Sequence, residues 1–310
     1  EAKELFHLFL EASHFLDEPL GDASFFPTYL LSRFAKQNIT VALSGDGGDE
    51  IFAGYPTYQA HKLIKYYRLI PSFIRKNIID RIIMNLPVSM DNFSLDFKAK
   101  KFVSAYSFPL EIRHIYWMGA FSQGDKNELY GPGLKNALDK EDVFDSLDTY
   151  LKGFQTDNEL NRLQYLDIKT YLEDDLLVKT DRASMANSLE VRVPYLDHEL
   201  IEFMFSLPCY LRLKRFKTKY IFKKFAKKIL PENIINRKKK GFGIPVAFWI
   251  KGELKRLILS VLDKDKIEKQ GLFNYQYIAE LLQQHFDNKV DNRKKIWTLF
   301  MFEVWAQKYL

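Results

Sequence analysis

A chain of 310 residues, 47% hydrophobic and 28% charged, can bury a large core as one large domain or two. No apolar run nears the roughly 20 residues that a bilayer-spanning helix needs, and no signal peptide is visible. The formal charge of +6 and pI near 9.0 permit a nucleic-acid partner, but the cations gather in residues 211–243 while residues 139–181 are acid-rich, which suits a local polyphosphate equally well.

In chain order, residues 3–16 and 26–37 carry apolar side chains at helical spacing, and Pro27 suits the first turn of the second helix. The run ITVAL, residues 39–43, is β-branched, short and closed by Ser44-Gly45; it predicts a buried parallel strand. A helix is expected from Asp49 to about Tyr66. Between residues 60 and 138, aromatic and basic residues mix without strand periodicity and Pro71, Pro87 and Pro109 break the run, so helices with loops are expected.

Residues 157–189 hold the 3.6-residue period and predict one long helix or two. EVRVPYLD, residues 190–197, reads as extended, and HELIEFMFSLP returns to helix. Residues 217–230 form a basic amphipathic helix stopping before Pro231, RKKKGFGIP is a loop, and 251–309 is mostly helical. Cys209 is the only cysteine; it allows no internal disulfide, fits a reducing compartment and reads as a buried, inert thiol.

Three constellations could carry chemistry. In VALSGDGGDEIFAGYPTY, residues 41–58, the acids Asp46, Asp49 and Glu50 directly follow the strand. Ligands of open parallel sheets bind beyond the carboxyl ends of strands, and Gly45, Gly47 and Gly48 allow close backbone approach. Carboxylates repel a phosphate unless a hard cation such as Mg²⁺ lies between, so a metal–polyphosphate ligand is one reading. A solvated helix N-terminus is the other. The basic loop RKKKGFGIP could set a lysine against pyrophosphate oxygens, or be a charged surface loop. In LEDDLLVKTDRASMANSLEVRVPYLD, Asp175 and Lys179 stand four apart, as helix-surface pairs do. Glu190 and Arg192 read as a partly buried ion pair fixing a chain reversal. CxxC, HExxH, Walker A, GxSxG and GxGxxG sequences are all missing.

Read together, LSGDGGDEIFAGYPTY, LLVKTDRASMANSLEVRVPYLDHELIEF and NRKKKGFGIPVAFWIKGEL resemble, in this order and spacing, the synthetase domain of glutamine-hydrolysing asparagine synthetases. The likeness runs from DEPLGDASFFPTYLLSRFAKQ to about Leu254. It implies an α/β, adenine nucleotide alpha hydrolase-like (ATP pyrophosphatase) fold, here predominantly helical with a partial parallel sheet. Residues 1–255 would form the synthetase domain and 256–310 its helical extension. It also implies a cytoplasmic ligase that uses ATP and Mg²⁺ to adenylate the side-chain carboxylate of aspartate. Ammonia, delivered from glutamine by a separate N-terminal domain, would then give asparagine, AMP and pyrophosphate.

The resemblance assigns roles residue by residue. Ser44 and Gly45 would lie against ATP, and Asp49 would help hold Mg²⁺ on the pyrophosphate. Asp46 stands where asparagine synthetases often carry Glu and β-lactam synthetases Tyr, and would act near the acyl-adenylate and the incoming amine. Lys239 would contact phosphates in the transition state, flanked by Arg237 and Lys238. Asp175 and Lys179 would face the substrate.

Two family features are missing from these 310 residues: the Ser-Gly-Gly-x-Asp-Ser pyrophosphate loop and the N-terminal cysteine nucleophile. With Glu1 in place of an initiator Met, the expectation is a piece of a longer enzyme, inactive alone, with dimerisation (a homodimer), swapping or disorder around residues 1–50. A degenerate homologue is an alternative. So is a related ligase acting on another carboxylate or closing a β-lactam, although Asp46 in place of Tyr leans against ring closure. A basic helical module binding nucleic acid through residues 211–240 is the reading from another class; it leaves Asp46 and Asp49 unexplained.

Overall fold

The computed structural model describes residues 8–9, 11–91, 94–138, 145–237 and 243–310. Most of the described chain is helical, around a single two-stranded parallel sheet. Strand β1 (Val41–Leu43) pairs with β2 (Glu190–Arg192), Val41 opposite Glu190 and Leu43 opposite Arg192. The ladder continues outward: Glu190 N–H donates to Thr40 O at 3.0 Å and Ser44 N–H to Arg192 O at 2.8 Å.

The strand is parallel, as its composition predicts, but it is not buried: Val41 is 40% and Leu43 73% exposed. Alternate residues of a parallel strand bond to alternate neighbours. Thr40 and Ser44 turn to β2, so Val41 and Leu43 address an edge on which no strand lies among the described residues. The Glu190–Arg192 pair also differs from expectation. It closes at 2.7 Å, yet both side chains are exposed because β2 runs at the surface.

The helix expected at 26–37 is Phe25–Lys36, burying Phe25, Phe26, Tyr29 and Ser32 against the Val178–Met185 helix. The helix expected from Asp49 to Tyr66 is two, Gly48–Ile51 and Pro56–Tyr67. Ala53 adopts a left-handed φ of 55°, and Pro56 has no N–H to continue the first helix. The basic helix expected at 217–230 is Tyr220–Ala226.

The predicted 157–189 helix is continuous but changes type: Glu159–Asp167 is α, Ile168–Leu177 is π and Val178–Met185 is α. Asn158 Oδ1 caps its start, accepting from Leu160 N–H at 3.0 Å and Asn161 N–H at 3.2 Å. The wider π-turns recur at functional sites, and Tyr171 and Asp175 lie within them.

The main hydrophobic cluster joins Phe9, Phe25 and Phe26 to Ile250, Ile258, Ile278, Trp297 and Phe300, so segments on both sides of residue 255 share one core. A second cluster, Ile51, Phe52 and Met204 with Tyr195, Leu196 and Phe222, clamps the acidic turn from below. Beside it, buried Asp167 accepts from the Tyr58 hydroxyl and from His114 Nε2 at 2.8 Å. His114 Nδ1 meets His61 Nε2 at 3.1 Å. Burial pushes His61 well down, keeping it neutral. Cys209 is half-buried rather than buried, its Sγ 3.1 Å from Asn161 Oδ1 and from Arg212 Nη2.

Asp125 ties the C-terminal helices to the rest. It accepts from Ser122 N–H at 2.8 Å, Ser122 Oγ at 2.7 Å, Tyr277 Oη at 2.7 Å and Lys295 Nζ at 2.5 Å. Burial alone would raise its pKa, but the bonds from Lys295, Tyr277 and Ser122 outweigh that and hold it at about 2. Since this lies below the ordinary 3.8, the contribution is complete above pH ~4 and disappears as the pH falls towards ~2. Asp125→Asn should therefore cost about 1–2 kcal/mol at neutral pH and flatten the acid limb of stability, as urea titrations across that window will show.

Candidate active site

Each functional side chain is set by the crossing of β1, the turn after it and the long 159–185 helix. Ser44 keeps its N–H in the ladder and turns its hydroxyl to Asp46 Oδ2 at 2.8 Å. Asp46 Oδ2 also accepts from Thr180 Oγ1 at 3.0 Å, so the turn is stitched to the Val178–Met185 helix. A Cβ added at Gly45 would meet nothing within 4 Å. Open space stands against the backbone at the end of the strand, where a ligand could approach.

Asp49 points elsewhere. Its carboxylate forms an ion pair with Lys219 Nζ at 2.8 Å, and Lys219 N–H donates to Phe52 O at 3.2 Å. Lys219 and Ala53 both hold left-handed φ, 52° and 55°; such strain in non-glycine residues collects at functional sites. The Gly48–Ile51 helix has only four residues and too little dipole to balance these acids. A lysine 170 positions away supplies the charge instead.

Glu50 is buried, 1% exposed, and accepts from the Tyr55 hydroxyl. Gln164 Nε2 holds the backbone beneath it through Ile51 O at 3.1 Å. Burial pushes Glu50 up to about 7. The Tyr55 ring meets Tyr171 edge-on at 5.8 Å, and this aromatic pair leads from the acidic turn to Asp175. Burial first, then Asp22, pushes Asp175 up to about 7.

Lys179 donates to Asp22 Oδ2 at 2.9 Å. Burial would raise Asp22, but the Lys179 ammonium and bonds from Ser24 more than offset it and hold its pKa below the usual range.

Of the predicted residues, Ser44 bonds to Asp46 and Asp46 to Thr180, Lys179, next to Thr180, bonds to Asp22, Asp49 pairs with Lys219, and Asp175 stands in the Ile168–Leu177 run just before Lys179. Arg237 follows the Glu232–Ile235 helix, exposed. Lys238 and Lys239 lie outside the described residues. Sequence reasoning missed the roles of Lys219, Thr180 and Asp22 and the pairing of Glu50 with Tyr55, although Lys219 sat in the basic segment and Glu50 in the acidic turn, both already marked by charge.

Among the described residues no three carboxylate, histidine or cysteine side chains cluster as a metal site. Mg²⁺ riding on a polyphosphate needs only one or two protein carboxylates, and Asp49 fits that demand if the cation takes the position of the Lys219 ammonium.

Two glycines separate fold from site. At Gly47, φ is 81° and a Cβ would fall 2.2 Å from Leu196 Cδ2 in the packed cluster; at Gly54 it would fall 1.9 Å from Asp49 Oδ1 and 2.4 Å from Lys219 Cε. Gly47→Ala should cost about 2 kcal/mol or more through strain and overpacking. Gly54→Ala opens only a partly exposed ion pair and should cost less than about 1 kcal/mol. Chemical denaturation of the two variants tests the difference.

The family model described as asparagine synthase matches residues 1–307. Asparagine synthetase [glutamine-hydrolyzing] 1 of Bacillus subtilis (strain 168) is 34% identical over 295 residues, 94% of this chain and 44% of that protein. A putative asparagine synthetase [glutamine-hydrolyzing] of Mycobacterium tuberculosis (strain ATCC 25618 / H37Rv) is 29% identical over 292 residues, 94% and 43%. Amidase chyE of Penicillium rubens (strain ATCC 28089 / DSM 1075 / NRRL 1951 / Wisconsin 54-1255) is 26% identical over 264 residues, 81% and 39%. The chain spans less than half the length of these relatives. The match reaches well past Leu254, where the likeness read from the sequence stopped, and the chain belongs to the asparagine synthase family.

Proposed function

We propose that this chain carries the synthetase centre of an ATP-dependent amide-forming ligase with an adenine nucleotide alpha hydrolase-like fold. The side-chain carboxylate of aspartate attacks the α-phosphorus of ATP; pyrophosphate leaves, and an acyl-adenylate forms. Ammonia from glutamine, released by a separate domain, attacks the acyl carbon, and AMP departs with the electron pair of the broken C–O bond. Support comes foremost from one observation: Asp46, at the strand's carboxyl end, is bonded to Thr180 of the neighbouring helix beside open space at Gly45.

In this reading Ser44 and Gly45 receive the nucleotide, and Asp46 accepts hydrogen bonds from the attacking amine. Asp49, paired here with Lys219, would hold the nucleotide's Mg²⁺, which when bound would neutralise charge on the phosphates. Arg237, Lys238 and Lys239 would contact those phosphates. Lys179, already committed to Asp22, fixes the wall on which Asp175 stands. The likeness to a protein named as an amidase favours testing more than one carboxylate.

A polypeptide carrying these residues together with the Ser-Gly-Gly-x-Asp-Ser pyrophosphate loop should catalyse ATP–pyrophosphate exchange that depends on aspartate rather than on other carboxylic acids. Asp49→Asn and Lys239→Met should each lower the exchange rate by about 10²-fold or more. Exchange supported only by a different acid would move the substrate assignment; no carboxylate-dependent exchange would overturn the reading.

A further inference from the structure

The Gly48–Ile51 helix has four residues, so the carbonyls at its end need donors from elsewhere. They find them. Asp49 O accepts from Gly54 N–H at 2.7 Å, and Phe52 O from Lys219 N–H at 3.2 Å. Between them, Gln164 Nε2 donates to both Glu50 O and Ile51 O, the second at 3.1 Å. One buried amide thus carries the middle of the segment that bears Asp49 and Glu50.

A side-chain amide has two ends of similar size and opposite chemistry, so a neighbour must decide which end faces the turn. Arg212 decides it. Its Nη1 donates to Gln164 Oε1 at 2.7 Å. A guanidinium only donates, which leaves the amide nitrogen to the turn. Arg212 and Gln164 are both 0% exposed. The other partners of the guanidinium are Asn161 Oδ1 at 2.5 Å, the Leu207 carbonyl at 3.3 Å and Cys209 Sγ at 3.1 Å. None of these is a carboxylate, and Arg212 Nε has no partner among the described residues. A charge buried without a counter-ion costs stability; what this one supplies is direction.

We propose that Arg212 is a positioning residue for the acidic turn: it locks Gln164 with Nε2 on the Glu50 and Ile51 carbonyls, and thereby fixes the backbone that carries Asp49. The stretch from Arg212 to Lys219 then governs the turn twice, through Gln164 and through the Asp49 ion pair. The clamp belongs to the free chain. Its catalytic consequence rests on the proposed function, in which Asp49 holds the nucleotide's Mg²⁺.

Hydrogen-exchange mass spectrometry on the ligand-free chain tests the clamp. Arg212→Met and Gln164→Leu should each speed amide exchange across residues 50–54 at least about tenfold, while the Phe25–Lys36 helix keeps its rate. Joined in one chain, the two changes should act no more strongly than either alone, because both remove one connection. Gln164→Glu keeps an oxygen for Arg212 but loses the donor, and should loosen the turn as Gln164→Leu does. Arg212→Lys keeps a donor-only cation and should retain most of the protection. These last two variants decide the matter if Arg212→Met does not fold. Equal acceleration in both segments, additive effects or an unchanged turn would overturn the proposal.

A second readout separates positioning from loss of folded protein. In a polypeptide that also carries the pyrophosphate loop, Gln164→Glu should raise KM for Mg·ATP at least about fivefold and leave KM for the carboxylate substrate unchanged. A merely structural defect lowers kcat alone, and that result would overturn the positioning role. Wild-type protein without ATP–pyrophosphate exchange counts against the proposed function and leaves the clamp to be judged by its amides.

Discussion

Everything at the site depends on a parallel pairing three residues long. Val41–Leu43 and Glu190–Arg192 are separated by nearly half the chain, and their register decides where the acidic turn emerges and which helix it meets. Thr40 and Ser44 extend the ladder at either end. The second bond sets the start of the turn, and the Ser44 hydroxyl then sets Asp46. So short a sheet has little stability of its own; the Phe25–Lys36 helix packed on Val178–Met185 holds it.

Given that register, the electrostatics follow. Asp46, Asp49 and Glu50 lie within five residues, yet each is accommodated differently. Asp46 shares hydroxyl donors, Asp49 takes a lysine, and Glu50 sinks into the core with a tyrosine hydroxyl and a pKa near neutrality, about 7. A single environment for all three would concentrate like charge at the cost of several kcal/mol. Spreading them over three environments leaves two carboxylates at the rim and one beneath it. A second charged group, Asp22 paired with Lys179, reaches the first through Thr180, and the Tyr55–Tyr171 contact lies between the acidic turn and the Ile168–Leu177 run that carries Asp175.

Much of this was legible in the sequence where local chemistry decides the outcome. The β-branched run, the glycines after it and the helical period of 157–189 all correspond to observed elements. Ser44 and Asp46 are bonded to each other, and consecutive Lys179 and Thr180 bind Asp22 and Asp46. The burial of Val41 and Leu43 was not legible, because exposure depends on what lies at the open edge and not on the strand's own residues. The break at Ala53 was hidden, since alanine signals helix and only tertiary packing forces its left-handed φ. Lys219 could not be singled out among the many lysines: it matters through one distant partner, Asp49, and a one-dimensional charge pattern does not record partners.

The central proposal is that the acidic turn and the basic segment after Asn236 bind one nucleotide. Hydrogen-exchange mass spectrometry with and without saturating Mg·ATP reads both segments at once. The account predicts that backbone amides of residues 44–50 and 237–243 slow together on nucleotide addition. Protection of only one segment, or of neither at saturation, would contradict it.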